Sequence, residues 1–165
     1  MKCCYFLFTF ILLTAATVVC SQQLSFKLYT SAEGLSQNSG YCMAQDGLGY
    51  LWMGTQDGLN KFNGKKITTY YKQTVTRGAL INNYIRALFY DSSKNWLWIG
   101  TDNGLCIYNI TADSFYKASY YFPQADTLDK LMIGNISFIS KNEVAVTTLS
   151  EGFFICNTST NKTEQ

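Results

Sequence analysis

Short apolar strands dominate the hydrophobic pattern of this chain. Trp-Leu-Trp-Ile at 96–99 is apolar at every position, and Tyr-Leu-Trp-Met at 50–53 has the same character. A sheet with one face in water would alternate apolar and polar residues, so both faces of these strands must be covered. After residue 21, no stretch shows the 3.6-residue periodicity of a long helix that could provide the cover. The pattern therefore predicts an all-β protein in which sheets cover one another.

The two apolar strands belong to a repeated unit. Five residues recur at a constant step of 46 positions: Trp52, Gly54, Thr55, Gly58 and Leu59 return as Trp98, Gly100, Thr101, Gly104 and Leu105. Repeats of this length are typical of stacked supersecondary units, each too small to bury its own apolar faces. We predict that these ten residues form the structural core of the repeats, with the tryptophans between neighbouring units.

Each repeat is predicted to contain four short strands. Asp-Gly at 57–58 and Asn-Gly at 103–104 are strong hairpin signals, because both central residues of a type I′ turn need positive φ. Asn-Gly at 63–64 provides a second hairpin turn in the first repeat. A degenerate third copy covers 136–157, and the chain ends where its fourth strand should begin.

The repeats divide the chain into successive units. Residues 24–30 alternate apolar and polar side chains and predict a lone strand, which in a closed ring of blades would complete the last blade. We therefore predict the following units: 1–21, a signal peptide or membrane anchor; 22–34, the N-terminal ring-closing strand; 35–79, blade 1; 80–125, blade 2; and 126–165, a partial blade 3.

The first 21 residues have the composition of a targeting segment. Lys2 supplies a positive charge, residues 3–19 carry none, and small residues follow before Gln22. This pattern predicts export with cleavage of a signal peptide. An uncleaved membrane anchor is the alternative, since the apolar run approaches the length of a spanning helix. A lipoprotein anchored on Cys20 is disfavoured because valine precedes that cysteine.

The repeated motif resembles a known family. Gly-Tyr-Leu-Trp-Met-Gly-Thr at 49–55, Gly-Leu-Asn-Lys-Phe-Asn-Gly at 58–64 and Glu-Gly-Leu-Ser-Gln-Asn at 33–38 are similar to the two-component regulator propeller repeat. The resemblance covers residues 26–121 well and 131–157 loosely. It implies β-propeller blades of four antiparallel strands and about 45 residues. The fold expected for this chain is an incomplete ring of two full blades and a partial third.

The resemblance also implies a function. Members of this family are bacterial hybrid two-component histidine kinases, and this chain resembles the N-terminal part of their periplasmic sensor. The implied ligand is an oligosaccharide, and the implied partners are the remaining blades and the kinase of a full-length sensor, in a dimeric form. The kinase and its phosphorelay would lie outside this chain, so the chain itself is not expected to be an enzyme. It would be periplasmic, or anchored to the inner membrane.

The composition excludes several kinds of chemistry. The sequence has no histidine, which excludes His-based triads and a phospho-accepting histidine in these residues. Without Lys2, 12 basic residues face 11 acidic ones, so nothing indicates a nucleic-acid partner. Four aspartates at strand ends or turns are predicted to be structural: Asp46, Asp57, Asp91 and Asp102. Three cysteines inside strand patterns are predicted to be buried and free: Cys42, Cys106 and Cys156. We predict no catalytic residue, no cofactor and no metal site.

Polar and aromatic residues near the repeat ends are the candidates for ligand binding. They are Asn38, Tyr50, Asn83, Arg86 and Trp96. Two other classes of function remain open. One is a propeller-type enzyme, either a quinoprotein dehydrogenase or a polysaccharide-cleaving protein, because quinoprotein repeats share a similar Trp-x-Gly-Thr pattern. The other is a structural repeat protein or a non-functional gene fragment.

Overall fold

The computed structural model describes residues 24–73 and 78–165. The predicted leader at 1–21 lies outside these ranges. Within them, none of the helices has both the length and the apolar character needed to cross a bilayer.

The described residues form three four-stranded antiparallel sheets. Sheet I contains β1 (Gly40–Gln45), β2 (Leu51–Thr55), β3 (Gly58–Phe62) and β4 (Ile67–Tyr70). Sheet II contains β5 (Ile85–Asp91), β6 (Trp96–Thr101), β7 (Gly104–Asn109) and β8 (Ser114–Lys117). Sheet III contains β9 (Ile133–Ser140), β10 (Glu143–Thr148), β11 (Phe153–Asn157) and β12 (Lys162–Glu164). The helical elements are α1 (Ala118–Tyr121) and two 3₁₀ turns, Ser31–Glu33 and Thr127–Asp129.

Within each sheet, consecutive strands are hydrogen-bonded neighbours, so every sheet is a simple meander. The three sheets do not close into a ring, and the predicted all-β class with repeated four-stranded units is confirmed.

Sheet III is more complete than the sequence predicts. Its fourth strand, β12, pairs with β11 from Asn157↔Lys162 to Ile155↔Glu164, so the prediction that this strand is missing is wrong. The chain reverses early because the Asn157 side chain accepts hydrogen bonds from the backbone amides of Ser159 and Thr160. Residue 161 then adopts the left-handed conformation, with φ of 56°.

The predicted strand at 24–30 is not formed. The segment has no regular secondary structure, and its apolar residues Leu24, Phe26 and Leu28 are largely exposed. A strand needs a partner for its backbone hydrogen bonds, and no described strand pairs with this segment. Its role in closing a ring stays a prediction.

A threonine organises the hairpin between the second and third strands of every sheet. The hydroxyl oxygens of Thr55, Thr101 and Thr148 donate to the carbonyl oxygens of Gly58, Gly104 and Gly152 at 3.0, 2.7 and 3.0 Å. The same hydroxyls accept a backbone N–H from within each turn. The threonine of the Gly-Thr motif therefore closes the turn, and this holds even in the degenerate third repeat, where the hairpin is longer.

Sheet II lies between sheets I and III. Every residue of β6 is buried, and its side chains alternate between two hydrophobic cores. Leu97 and Ile99 pack with Trp52 in the core shared with sheet I. Trp98 packs with Val146 of β10 in the core shared with sheet III. The continuous apolar pattern of the Trp strand thus reflects a sheet that is covered on both faces.

The glycine of the Trp-x-Gly motif lets neighbouring sheets approach closely. A Cβ atom on Gly100 would lie 2.6 Å from Ile133 Cγ2 in sheet III. The equivalent Gly54 faces Ile85 of sheet II at the same 2.6 Å. Since real Cβ contacts are longer than this, a larger residue at either position would push the sheets apart.

The side chain of Asp46 forms hydrogen bonds to the β1–β2 turn and to the first tryptophan, Trp52. Its buried carboxylate accepts hydrogen bonds from the backbone amides of Leu48 and Tyr50, both at 3.0 Å, and from Trp52 Nε1 at 2.8 Å. The second repeat has one residue more between its aspartate and its tryptophan. Within the described chain, the buried Trp98 Nε1 has no hydrogen-bond partner.

The three cysteines of the sheets are free thiols. Burial raises the pKa of each to about 12, so they remain protonated at physiological pH. They serve as small packing residues.

Candidate functional site

One edge of the three sheets collects the polar loops of the repeats. It is formed by the β2–β3, β6–β7 and β10–β11 turns and by the starts of β1, β5 and β9, which pair with the strand ends at Thr55, Thr101 and Thr148. We call it the hairpin edge. Backbone hydrogen bonds tie it together across the sheets, from Gly58 N to Asn83 O at 2.8 Å and from Gly104 N to Leu131 O at 2.9 Å.

A β-bulge interrupts the first strand of every sheet at this edge. The ladder skips one residue at Tyr41 in β1, at Arg86 in β5 and at Gly134 in β9. A bulge leaves its extra residue outside the ladder and turns the side chain away from the regular alternation. The bulge thus presents a side chain at the hairpin edge in two of the sheets, a tyrosine in sheet I and an arginine in sheet II, whereas sheet III has a glycine at this position.

Arg86 lies at the centre of a small polar and aromatic cluster. Its Nε donates to Asp102 Oδ1 in an ion pair, and the two side chains are 28% and 32% exposed. The guanidinium lies 4.6 Å from the centre of the Tyr84 ring, in cation–π geometry. The Tyr84 ring is 5.1 Å from the ring of Tyr41, which is half exposed. These four residues, Tyr41, Tyr84, Arg86 and Asp102, are the Arg86 cluster.

The Arg86 cluster offers both donors and acceptors to a ligand. The neighbouring Tyr41 side chain raises the pKa of Tyr84, so this phenol stays protonated. The guanidinium keeps N–H groups beyond the one that it gives to Asp102, and the carboxylate keeps free lone pairs. Such a surface suits a ligand with several hydroxyl groups and an apolar face.

The two asparagines predicted as ligand candidates are at the same edge, where they organise loops. Asn83 Nδ2 donates to Asp57 Oδ1 at 2.9 Å, and its Oδ1 accepts from Lys72 N at 2.6 Å. Asn38 Oδ1 accepts from Ser31 N at 2.7 Å. Both side chains therefore form hydrogen bonds within the protein, and these bonds hold the loops beside the Arg86 cluster.

Tyr50 and Trp96 lie at the opposite edge, beside the starts of β2 and β6, so the structure does not bring them to Arg86. The Tyr50 ring is covered by Lys61 Nζ at 4.3 Å. Trp96 is only 7% exposed, because Tyr121 of α1 packs on it with ring centres 4.2 Å apart. This burial speaks against Trp96 as a ligand-binding residue.

Sequence reasoning missed Tyr41, Tyr84 and Asp102 as members of this site. A signal for Tyr41 was present in the sequence. Upstream of the Trp strands the repeat steps by 45 residues, as from Asn38 to Asn83, and the same step relates Tyr41 to Arg86. In the residues that the structure describes, no group of three metal-ligating side chains comes together. The side chains of the Arg86 cluster can contact a ligand through hydrogen bonds and through the two tyrosine rings.

The three meander sheets pack face to face, and the first strand of each sheet lies beside the first strand of the next. This is the architecture of β-propeller blades. Residues 79–103, from the loop before β5 to the β6–β7 turn, match the model of the two component regulator propeller family. The second repeat of this chain is therefore similar to the two-component regulator propeller repeat, and the predicted resemblance is confirmed.

Known relatives agree with this assignment. Histidine kinase P4 from Formosa agariphila is 51% identical over 45 residues, which is 27% of this chain and 3% of that protein. The extracellular domain of BT3049 from B. thetaiotaomicron, described as a hybrid two component system, superposes with a TM-score of 0.70 at 27% identity. That match covers 84% of this chain and 20% of the solved chain.

The extracellular domain of BT4673 from the same organism shares the fold, with a TM-score of 0.63 at 19% identity. This match covers 88% of this chain and 21% of the solved chain. The chain thus spans about a fifth of the length of the solved structures that it matches.

Proposed function

We propose that this chain is part of an exported sensor propeller of a two-component system, and that it binds an oligosaccharide at the Arg86 cluster. The observation that carries the proposal is the repeated bulge, which places Tyr41 and Arg86 at the hairpin edge of a propeller, where both side chains lie against the Tyr84 ring. In this proposal the sensor passes the binding signal to a histidine kinase. The remaining blades of the propeller complete the sensor, and the full-length protein is a dimer.

The chemistry of the cluster supports a sugar ligand. Sugar hydroxyls need donors and acceptors in close pairs, and the Arg86–Asp102 ion pair supplies both. The C–H face of a sugar ring packs on aromatic rings, and Tyr41 is half exposed beside Tyr84. The uncharged run after Lys2, together with the extracellular domains that share the fold, supports export.

The Arg86 site predicts a specific loss of binding. The full chain would be titrated by calorimetry with short oligosaccharides of neutral glucans, mannans and xylans. We expect one of these to bind, and Arg86→Ala to weaken that binding about tenfold or more, since hydrogen bonds to charged groups contribute about 1.5–3 kcal/mol. Lys65→Ala is the matched control, because Lys65 is an exposed cation on the β3–β4 turn.

Two results would contradict the proposal. One is binding to the Arg86→Ala variant that equals binding to the original chain. The other is a chain that binds none of the oligosaccharides but does bind a quinone, which would favour the quinoprotein alternative.

A further inference from the structure

Two turns of this protein contain asparagine followed by glycine, at 63–64 and at 103–104. This dipeptide is prone to lose the asparagine amide, because glycine has no side chain to hinder its own backbone nitrogen. That nitrogen can then attack the side-chain carbonyl carbon of the preceding asparagine. Both asparagines are exposed, so the sequence and the exposure of the side chains do not separate the two pairs. The surroundings of the two glycines do.

The fold hinders the reaction at Asn103. The attacking atom would be the backbone nitrogen of Gly104, whose N–H donates to the carbonyl oxygen of Leu131 at 2.9 Å. Gly104 is buried, and the carbonyl oxygen of Asp129 lies 2.4 Å from the position that its Cβ would take. The nitrogen must leave its hydrogen bond and turn toward the Asn103 side chain in a place without free space. Attack at Asn103 therefore requires local unfolding of the β6–β7 turn.

The fold leaves Gly64 free to react. This glycine is exposed, and no atom lies within 4 Å of the position that its Cβ would take. Within the described part of the chain, its backbone N–H donates no hydrogen bond. The β3–β4 turn can therefore rearrange, and the Gly64 nitrogen can approach the Asn63 side chain, while the sheet stays folded.

The same turn activates the amide of Asn63. Its Oδ1 accepts hydrogen bonds from the backbone amides of Lys65 at 3.0 Å and of Lys66 at 2.7 Å. These donors withdraw electron density from Cγ, and they stabilise the negative charge that develops on the oxygen when a nucleophile adds to Cγ. Both bonds are to Oδ1, so neither of them holds the Nδ2 group that has to leave.

We propose that Asn63 is a site of spontaneous deamidation in the folded protein, and that the fold protects Asn103. Hydroxide removes the proton of the Gly64 amide, and the nitrogen forms a bond to Asn63 Cγ. The bond from Cγ to Nδ2 breaks, and Nδ2 leaves as ammonia with a proton taken from water, which restores the hydroxide. A succinimide ring remains. Water then opens the ring at either carbonyl carbon and gives aspartate or isoaspartate, without any change of oxidation state.

The two products differ in their effect on sheet I. Aspartate keeps the normal backbone, and its carboxylate can accept the same two amide hydrogen bonds. Isoaspartate adds the side-chain methylene to the main chain, which displaces Asn63 N from Lys66 O, its partner at 3.2 Å. Since that bond closes the β3–β4 hairpin, isoaspartate should loosen β4, an outer strand of sheet I. The turn lies at the edge opposite the Arg86 cluster, so the modification is independent of the proposed function.

Peptide mass spectrometry of the folded full chain, sampled over time at neutral pH, tests the proposal. Deamidation should be about tenfold or more faster at Asn63 than at Asn103, because attack at Asn103 must wait for local opening. In urea concentrated enough to unfold the chain, the two rates should become similar, since the fold no longer separates the pairs. The rate at Asn63 should rise with pH, because hydroxide removes the amide proton.

Gly64→Ala is the matched variant. Its methyl group hinders the attacking nitrogen, so deamidation at Asn63 should slow several-fold while the rate at Asn103 stays unchanged. The variant keeps the fold, because the site of the added methyl group is open. Equal rates at the two asparagines in the folded chain would overturn the proposal. A Gly64→Ala protein that loses the Asn63 amide as fast as the original would also overturn it, since attack by the residue 64 nitrogen would not then be the route.

Discussion

Replacing Trp98 with alanine is expected to lower the free energy of unfolding by about 3–5 kcal/mol, the usual cost of deleting a large aromatic side chain from a core. Trp98 is fully buried and lies in the core between sheets II and III. Its ring packs against Phe122 with centres 5.6 Å apart. The cavity would open inside a core that also contains Trp96 and Phe122, so the loss should lie within this range.

The control is Trp98→Phe, which keeps an aromatic ring in the same place. It should cost much less, because the indole N–H that it removes has no partner in the described chain. Trp52→Phe should cost more than Trp98→Phe, since it also breaks the hydrogen bond to Asp46. Urea unfolding curves of the variants provide the measurement. A Trp98→Ala protein as stable as the original would show that sheets II and III do not share this core.

Replacing Gly104 with alanine is expected to destabilise the protein by about 2–4 kcal/mol, through backbone strain and a steric clash. Gly104 has φ of 109°, a conformation that L-residues rarely adopt. A Cβ atom there would also lie 2.4 Å from the carbonyl oxygen of Asp129. That oxygen belongs to the backbone and cannot move aside, unlike the end of a flexible side chain.

Gly64→Ala is the matched control for this prediction. Gly64 has φ of 89°, but no atom lies within 4 Å of the position of its Cβ. The control therefore measures the conformational strain alone, about 1 kcal/mol. Guanidinium unfolding at one temperature compares the two variants. If both cost the same, the close approach of Asp129 to the hairpin of sheet II is wrong.

The repeat step made much of the fold predictable. Apolar strands without alternation indicated a sheet covered on both sides, and β6 is buried along its whole length. Asp-Gly at 57–58 and Asn-Gly at 103–104 marked the positions of the hairpins, but the predicted type I′ turn is wrong. In each of these pairs only the glycine has positive φ, and the glycine is already the first residue of the next strand. These features are visible in a sequence since each depends on residues that are close together along the chain.

Two kinds of feature were not predictable from the sequence: elements of only three or four residues, and contacts between residues that are far apart along the chain. β12 has only three residues, Lys162–Glu164, and no apolar pattern. The helix α1 is four residues long, which is too short to show a period, yet it is what buries Trp96. The strand predicted at 24–30 failed because a strand pattern does not specify a partner.

The candidate site was only partly predictable for the same reason. Arg86 was a candidate because it lies near the end of a repeat, but its neighbours depend on bulges that only the strand register shows.

Amide hydrogen exchange tests the stacking of the three sheets most directly. If sheet II lies between the other two, the amides of β6 and β7 should exchange most slowly, because both faces of these strands are buried. The amides of β12, an edge strand that is mostly exposed, should exchange fastest among the strands. Exchange in β6 as fast as in β12 would contradict the stacked-blade architecture on which the proposed binding site depends.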